Sequence, residues 1–154
     1  MAFVVIRVRG HCNVNKDIAD TMSMLRLNRV NHCVIIPKNE KYNGMLQKVK
    51  DYVTWGEVSD EMLATMIKTR GRLKGDKVID DAYVSENTTY PSVESFAQSV
   101  VKGEAKYTDL KDVKPVFRLH PPKQGYEAVK KDRKTGGSLG YRGEEINALI
   151  ERML

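Results

Sequence analysis

Residues 118–142 carry the strongest chemical signal in the chain: seven Lys/Arg against two Asp/Glu. Arg118, Lys123, Lys130, Lys131, Arg133, Lys134 and Arg142 share this segment with Pro121-Pro122, with Gly136, Gly137 and Gly140, and with Tyr126 and Tyr141. Glycines let a backbone approach phosphates closely, the cations neutralise them, and tyrosine rings can stack on bases. The segment shows no apolar periodicity, so it reads as a long loop. Such loops in compact domains are functional or disordered. On the residues alone, contact with RNA and a merely solvated loop both remain open.

A second group of cations lies near the start. Arg7 and Arg9 alternate with Ile6 and Val8, so both should leave the same face of a strand. Together they either present two guanidinium groups to a phosphate or simply solvate an exposed sheet face. Arg26, Arg29, Asn31 and His32 cluster after the first helix, where basic groups can also do no more than complement the helix dipole.

Other chemistries find little support. The doublets His11-Cys12 and His32-Cys33 lack the spacing of a structural zinc site, and neighbours in an extended chain point to opposite sides. Gly136–Gly140 is not a phosphate-binding Walker loop, because no Lys-Ser/Thr follows the last glycine. The dinucleotide-binding and serine-hydrolase glycine motifs are absent too. Asp80-Asp81 reads as a helix cap, and the seven methionines and Trp55 read as core filler.

The elements that position these groups follow from periodicity. Phe3–Val8 reads as a strand closed by Gly10. Asn15 caps a helix over 16–27, with Ile18, Met22 and Leu25 inward. A buried strand follows over 32–36, ended by Pro37. A second helix covers 41–52, and a third strand covers 52–58. Ser59 then caps a helix over 60–70, the turn-rich stretch 71–77 with its two glycines breaks it, and a short helix covers 80–86. A clearer helix starts after Ser92 and stops at Gly103. A short strand over 116–119 precedes the basic segment. The chain ends in a helix from about 144, with Ile146, Leu149, Ile150 and Met153 in one stripe.

The chain has 154 residues, 41% of them hydrophobic and 30% charged, which excludes a disordered or low-complexity protein. That length buries roughly 68–70% of the unfolded surface without disulfides. Two cysteines cannot build a disulfide scaffold, and no signal peptide or membrane-length apolar run is seen. A cytoplasmic protein with reduced thiols is expected. The net charge of +6 favours a polyanionic partner. It is segregated: residues 1–58 hold nine Lys/Arg against five Asp/Glu, residues 59–110 seven against nine, and residues 111–154 ten against six. The two ends should therefore meet the polyanion, leaving the acidic middle open to a protein neighbour.

Ile18–Pro37 (IADTMSMLRLNRVNHCVIIP), Lys48–Glu57 (KVKDYVTWGE), Arg118–Gly125 (RLHPPKQG) and Gly136–Gly140 (GGSLG) together resemble the universal large-subunit ribosomal protein L-thirty family. The resemblance covers essentially the whole chain. Short bacterial members resemble residues 1–58, and the rest resembles the longer archaeal form, related to the eukaryotic seven-e protein. Eukaryotic members carry a long basic arm ahead of the first strand, so the archaeal form is the better match.

The resemblance implies an α/β (α+β) fold: a three-stranded antiparallel sheet with two helices packed on one face in a ferredoxin-like layout. Strand–helix–strand order alone would suggest a parallel sheet. A core domain over 1–58 and a mainly helical extension over 59–154 are expected. The implied function is to bind 23S rRNA, near 5S rRNA, as a monomer among neighbouring large-subunit proteins, with no catalysis, metal or cofactor. The residues assigned to rRNA on this basis are Arg7, Arg9, Arg26, Arg29, Asn31, His32, Arg118, His120, Lys123, Lys130, Lys131, Arg133, Lys134 and Arg142. The basic loop is expected to order only against RNA, having too few apolar residues to order itself. An RNA-binding module outside the ribosome, or a small α/β enzyme or metabolite-binding domain, are the alternative readings.

Overall fold

The computed structural model describes residues 2–154. The strands are β1 (Ala2–Arg7), β2 (His32–Pro37), β3 (Val53–Glu57), β4 (Phe117–Arg118), β5 (Ala128–Asp132) and β6 (Gly137–Tyr141). The helices are α1 (Lys16–Met24), α2 (Glu40–Val49), α3 (Asp60–Arg70), α4 (Asp81–Asn87), α5 (Val93–Lys102) and α6 (Ile146–Met153). The sequence caps operate: Asn15 Oδ1 accepts from the Asp17 amide, Ser59 Oγ from Met62 and Ser92 Oγ from Ser95. Each satisfies one of the orphan amides of a first helical turn. Gly103 ends α5 at φ +84°, a left-handed position that a side chain would strain.

β1 is the middle of the family core. It pairs antiparallel with β2, Phe3 opposite Ile36 and Ile6 opposite Cys33. On its other side it pairs antiparallel with β3, Phe3 opposite Glu57 and Arg7 opposite Val53. The parallel sheet suggested by element order is thus corrected, and the antiparallel layout implied by the resemblance holds. The reason lies in the connections. The segment containing α1 returns the chain to the end of the sheet where β1 finished, so β2 runs back, whereas α2 carries the chain from the Pro37 end to the Val53 end, so β3 runs the same way as β2 on the other side of β1.

The sheet is larger than the expected three strands: its order is β4-β2-β1-β3-β6-β5. A three-stranded sheet leaves two rows of unpaired backbone groups, and the C-terminal part of the chain caps both. β4 adds antiparallel to β2, Cys33 opposite Phe117. β6 adds parallel to β3, Trp55 opposite Tyr141, and β5 lies beyond it with an irregular register. The reading of the stretch after 119, through 142, as one structureless loop is corrected accordingly. β6 buries Gly137, Ser138 and Leu139, while every residue of β5 is exposed.

Both faces of the sheet are covered. On one, Phe3, Val5, Val34, Val53 and Trp55 pack with Met22, Leu25, Leu46 and Val49 from α1 and α2 and the turn after α1. On the other, Ala2, Val4, Ile6 and Cys33 pack with Leu63, Met66 and Ile67 of α3, Phe96 and Val100 of α5, Phe117, and Ile146, Leu149, Ile150 and Met153 of α6. β1 is therefore buried along its whole length.

Arg142 fastens the β3–β6 seam. Its Nε donates to Thr54 Oγ1 (2.8 Å) and a terminal nitrogen donates to the Ser138 carbonyl (2.9 Å). Its amide donates to the Trp55 carbonyl, and Thr54 Oγ1 donates onward to the Gly140 carbonyl. Burial lowers the pKa of this guanidinium, and its hydrogen bonds to uncharged acceptors offset the loss of water.

Close backbone approach explains Gly56. A Cβ there would lie 1.9 Å from the Gly143 carbonyl oxygen, at the turn that leads into α6. Gly56→Ala is expected to push this turn away and destabilise the protein by about 1–3 kcal/mol, the usual cost of overpacking. Thermal unfolding checks this, with a fall in Tm of roughly 2–4 °C per kcal/mol at this size.

Candidate nucleic-acid interface

The antiparallel register brings one set of chain ends together. The end of β1 (Arg7), the start of β2 (His32), the start of β3 (Val53) and the end of β4 (Arg118) share one edge of the molecule. The loops 8–15, 25–31, 50–52 and 119–126 meet there. Four of the six non-glycine residues with positive φ lie in these loops: Asn13, Arg26, Asn31 and Gln124. Asparagine tolerates that conformation, but arginine has no such excuse, so Arg26 at φ +64° marks a backbone held by its surroundings.

Arg7 does much of the holding. It is 3% exposed. Its Nε donates to the Arg9 carbonyl (2.9 Å), and its terminal nitrogens donate to the carbonyls of Leu27 (2.7 Å) and Gly10 (3.3 Å). It therefore ties the loop after β1 to the turn after α1. Arg7 and Arg9 do not project together, which corrects the alternation reading. The amides of Val8 and Arg9 both donate to the Tyr52 carbonyl (2.9 and 3.2 Å), a bulge-like break that resets which way the next side chain points. Arg9 instead lies over the Tyr52 ring, 4.9 Å from its centre, with a guanidinium nitrogen on the Asp51 carbonyl.

Around this buried anchor stand surface cations. Arg26 and Arg29 are exposed and have no carboxylate partner among the described residues. Arg118, directly across from His32, shares Asp76 with Lys114. The hydrogen bonds from Lys114 and then Arg118 hold the Asp76 carboxyl below its usual range. These pairs are exposed, so they hold Arg118 only weakly. His32 has its pKa lowered, first by burial and then by Arg29, Arg118 and Arg7, and its Nδ1 is buried without a partner in the described structure. This lowering favours the uncharged imidazole and sets His32 apart from the surface cations.

The segment after β4 is pinned to the same edge. The His120 and Lys123 amides donate to the carbonyls of Met153 and Arg152 at the end of α6, and the Arg152 guanidinium reaches back to the carbonyls of Lys123 and Gly125. The Tyr126 hydroxyl donates to Asn31 Oδ1 (2.5 Å), joining this segment to the α1–β2 turn. His120 and Lys123 are exposed as a result. Asn31 is thus engaged within the protein rather than free.

Farther along, β5 carries Lys130 and Lys131 fully outward, and Lys134 is exposed on the turn to β6. None of the three has a carboxylate partner among the described residues. Arg133 differs: it pairs with Glu127 and with Glu145, and these hydrogen bonds raise its pKa. Arg142 is buried in the seam described above.

The fourteen residues assigned from sequence therefore divide. Arg26, Arg29, Lys123, Lys130, Lys131 and Lys134 offer unpaired charge, with Arg9 and His120 beside them and Arg118 partly engaged. Arg7, Arg142, Arg133, Asn31 and His32 shape or brace the scaffold. Sequence reasoning passed over Lys50, exposed just past α2 and sharing a cleft with Lys134, although its place after a helix C-terminus was a usable signal. It also passed over Arg152, whose role as a brace depends on contacts distant in sequence.

No cluster of three or more His, Cys, Asp or Glu side chains able to hold a metal occurs among the described residues. Cys12 is exposed and Cys33 buried, both as free thiols. No described helix is long and apolar enough to cross a membrane.

A family model described as "Ribosomal protein L30p/L7e" matches residues 3–53, which span β1 to the start of β3. The chain is 55% identical to the large ribosomal subunit protein uL30 of Methanobrevibacter smithii, over 99% of both chains. It is 54% identical to the protein of that name from Methanococcus maripaludis, over all of both chains, and 52% identical to that of Methanosphaera stadtmanae, over 99% of each. Identity at this level along the entire length shows that the chain belongs to the ribosomal protein L30p/L7e family, in its archaeal form.

Proposed function

We propose that this protein is a structural, non-catalytic constituent of the large ribosomal subunit that binds 23S rRNA, near 5S rRNA, and screens the repulsion between RNA segments packed against it. Its family and the names of its relatives support the ribosomal part of this reading. One observation carries the rRNA part: unpaired cations gather along one edge of a rigid sheet, on loops braced by the buried Arg7 and by the Tyr126–Asn31 hydrogen bond.

Such a surface suits phosphate and sugar contacts, which position a protein without reading sequence. Rigid presentation lowers the entropy cost of ordering long side chains on binding. Arg26, Arg29 and Lys123 form one patch, and Lys130, Lys131 and Lys134 a second, farther along the same side of the chain. We assign residues 1–58 to the family core and 59–154 to an extension that both covers the second sheet face and supplies the second patch. Residues 59–110, which include α3, α4 and α5, hold the acidic excess and are the natural place for a neighbouring protein.

Three outcomes test this. Filter binding of the full chain to deproteinised large-subunit rRNA should weaken by about 10³–10⁵ between 50 and 200 mM salt if six to ten phosphates are engaged; an affinity indifferent to salt would rule the reading out. Reversing Lys130, Lys131 and Lys134 to Glu should weaken that binding and flatten its salt slope while leaving Tm unchanged, since all three are exposed. Arg7→Met should lower stability by about 1.5–3 kcal/mol, the scale of a lost charged hydrogen bond. It should also weaken rRNA binding, although Arg7 itself is almost fully buried. Normal binding by a destabilised Arg7→Met protein would remove the bracing role.

A further inference from the structure

A cleft of about 300 Å³ opens between the end of α2 and the turn joining β5 to β6, at the lower end of the size range of small-ligand sites. Its bed is the seam between β3 and β6 on the side where α1 and α2 leave β6 uncovered. Trp55, Leu139 and Tyr141 form that bed, and Gln47, Lys50 and Lys134 stand on the rim. Trp55 and Tyr141 are opposite one another in the strand register, with ring centres 6.3 Å apart and planes at 50°. Gly140, between Leu139 and Tyr141, also lines the cleft.

Tyr141 is unusual among the aromatic side chains. The residue is 50% exposed, yet its ring cannot swing freely. Its hydroxyl donates to the Glu57 carboxylate, lying 2.6 Å from either oxygen, and its ring meets Phe3 edge-on at 6.2 Å. An exposed ring already held in place loses little freedom when a flat partner stacks on it. The charges on the rim are unequal in availability. Arg133 is taken by Glu127 and Glu145, and Asp132 accepts from the Thr135 amide and hydroxyl. Asp51 is exposed at the mouth. Lys50 and Lys134 are left without carboxylate partners among the described residues.

An exposed, tethered aromatic ring bordered by two available ammonium groups matches a nucleotide better than either feature alone would. A bare phosphate would not use the ring, and an apolar ligand would leave the lysines idle. We infer that this cleft seats one unstacked nucleotide of the bound rRNA, its base against the exposed Tyr141 ring, beneath which Trp55 is buried, and its flanking phosphates on Lys50 and Lys134. The inference rests on the rRNA reading above and adds to it a site that grips a splayed-out base, as single-stranded RNA is commonly recognised.

Trp55 is the only tryptophan in the chain, so its emission reports on the cleft directly. With the full chain and deproteinised large-subunit rRNA at 50 mM salt, binding should change Trp55 emission. Tyr141→Ala should weaken rRNA binding roughly 5- to 150-fold, the range found when a stacking ring is removed. Tyr141→Phe, which keeps the ring but loses its hold on Glu57, should bind better than Tyr141→Ala, and this separates lost stacking from lost tethering. Binding to rRNA with unchanged emission, or with full affinity in Tyr141→Ala, would overturn the site while leaving the salt-dependent rRNA reading intact. Free AMP or UMP reproducing the emission change at concentrations as low as the rRNA would overturn it in favour of a free nucleotide as occupant. Inorganic phosphate doing so would discard the base-stacking role. Absence of any rRNA binding in the filter assay would sink both readings at once.

Discussion

A guanidinium group buried at the end of a central strand constrains everything near it. Arg7 is as enclosed as the valines that precede it, and a charge in that position is costly unless each donor finds an acceptor. The acceptors are backbone carbonyls of Arg9, Gly10 and Leu27, so the requirement falls on loop conformation rather than on a partner carboxylate. No neighbouring negative charge cancels the cation, and the bulk of the molecule keeps a positive edge. The same interaction therefore fixes two loops and adds to the potential felt by a polyanion, which a buried ion pair would not do.

The burial of Arg7 in turn depends on β1 being covered on both sides. An antiparallel sheet often leaves one face wet, and its strands then alternate apolar with polar residues. β1 does not alternate: Ala2, Val4 and Ile6 face α3, α5 and α6, while Phe3 and Val5 face α1 and α2. The C-terminal half of the chain is thus a condition for the first half to be folded as it is. Its contribution is both chemical and mechanical, since α6 closes the apolar layer with Ile146, Leu149, Ile150 and Met153 and its far end holds the His120–Gly125 segment. Residues that fill the core and residues that place cations belong to the same short helix.

The legible parts of the sequence were the local ones. Asn15, Ser59 and Ser92 announce helix starts because the capping bond spans only two or three residues, and apolar stripes such as Val93, Phe96, Ala97 and Val100 announce a buried helix face. The uninterrupted run Phe3–Ile6 held a further message, namely that both sides of the strand are dry. β6 was invisible for the opposite reason. GGSLGY has neither alternation nor β-branched residues, and it becomes a strand because β3 offers a free edge and Arg142 can bind Thr54 across it. Gly137 is required by contact, since a Cβ would fall 1.9 Å from the Lys131 carbonyl oxygen. Nothing within a few residues of it encodes that contact. The family resemblance supplied the antiparallel order that element order alone misjudged.

The candidate site shows why counting charges overstates an interface. Arg133 and Arg142 lie within the segment that looked most cationic, yet one is neutralised by Glu127 and Glu145 and the other lies inside the sheet. Their use as struts follows from the guanidinium group itself, which offers five donors in a fixed plane and can join several acceptors at once. Lysine lacks that geometry and is more strongly hydrated, so it stays at the surface as a point charge. Of the four lysines in the segment, Lys123, Lys130, Lys131 and Lys134, all are exposed and none forms an ion pair among the described residues. Within this segment the two cation types have separated by role, with most arginine holding the loops in shape and lysine meeting the solvent. A polyanion approaching this edge would therefore meet mobile ammonium groups mounted on an arginine-braced frame, which favours contact with phosphates over reading of base sequence.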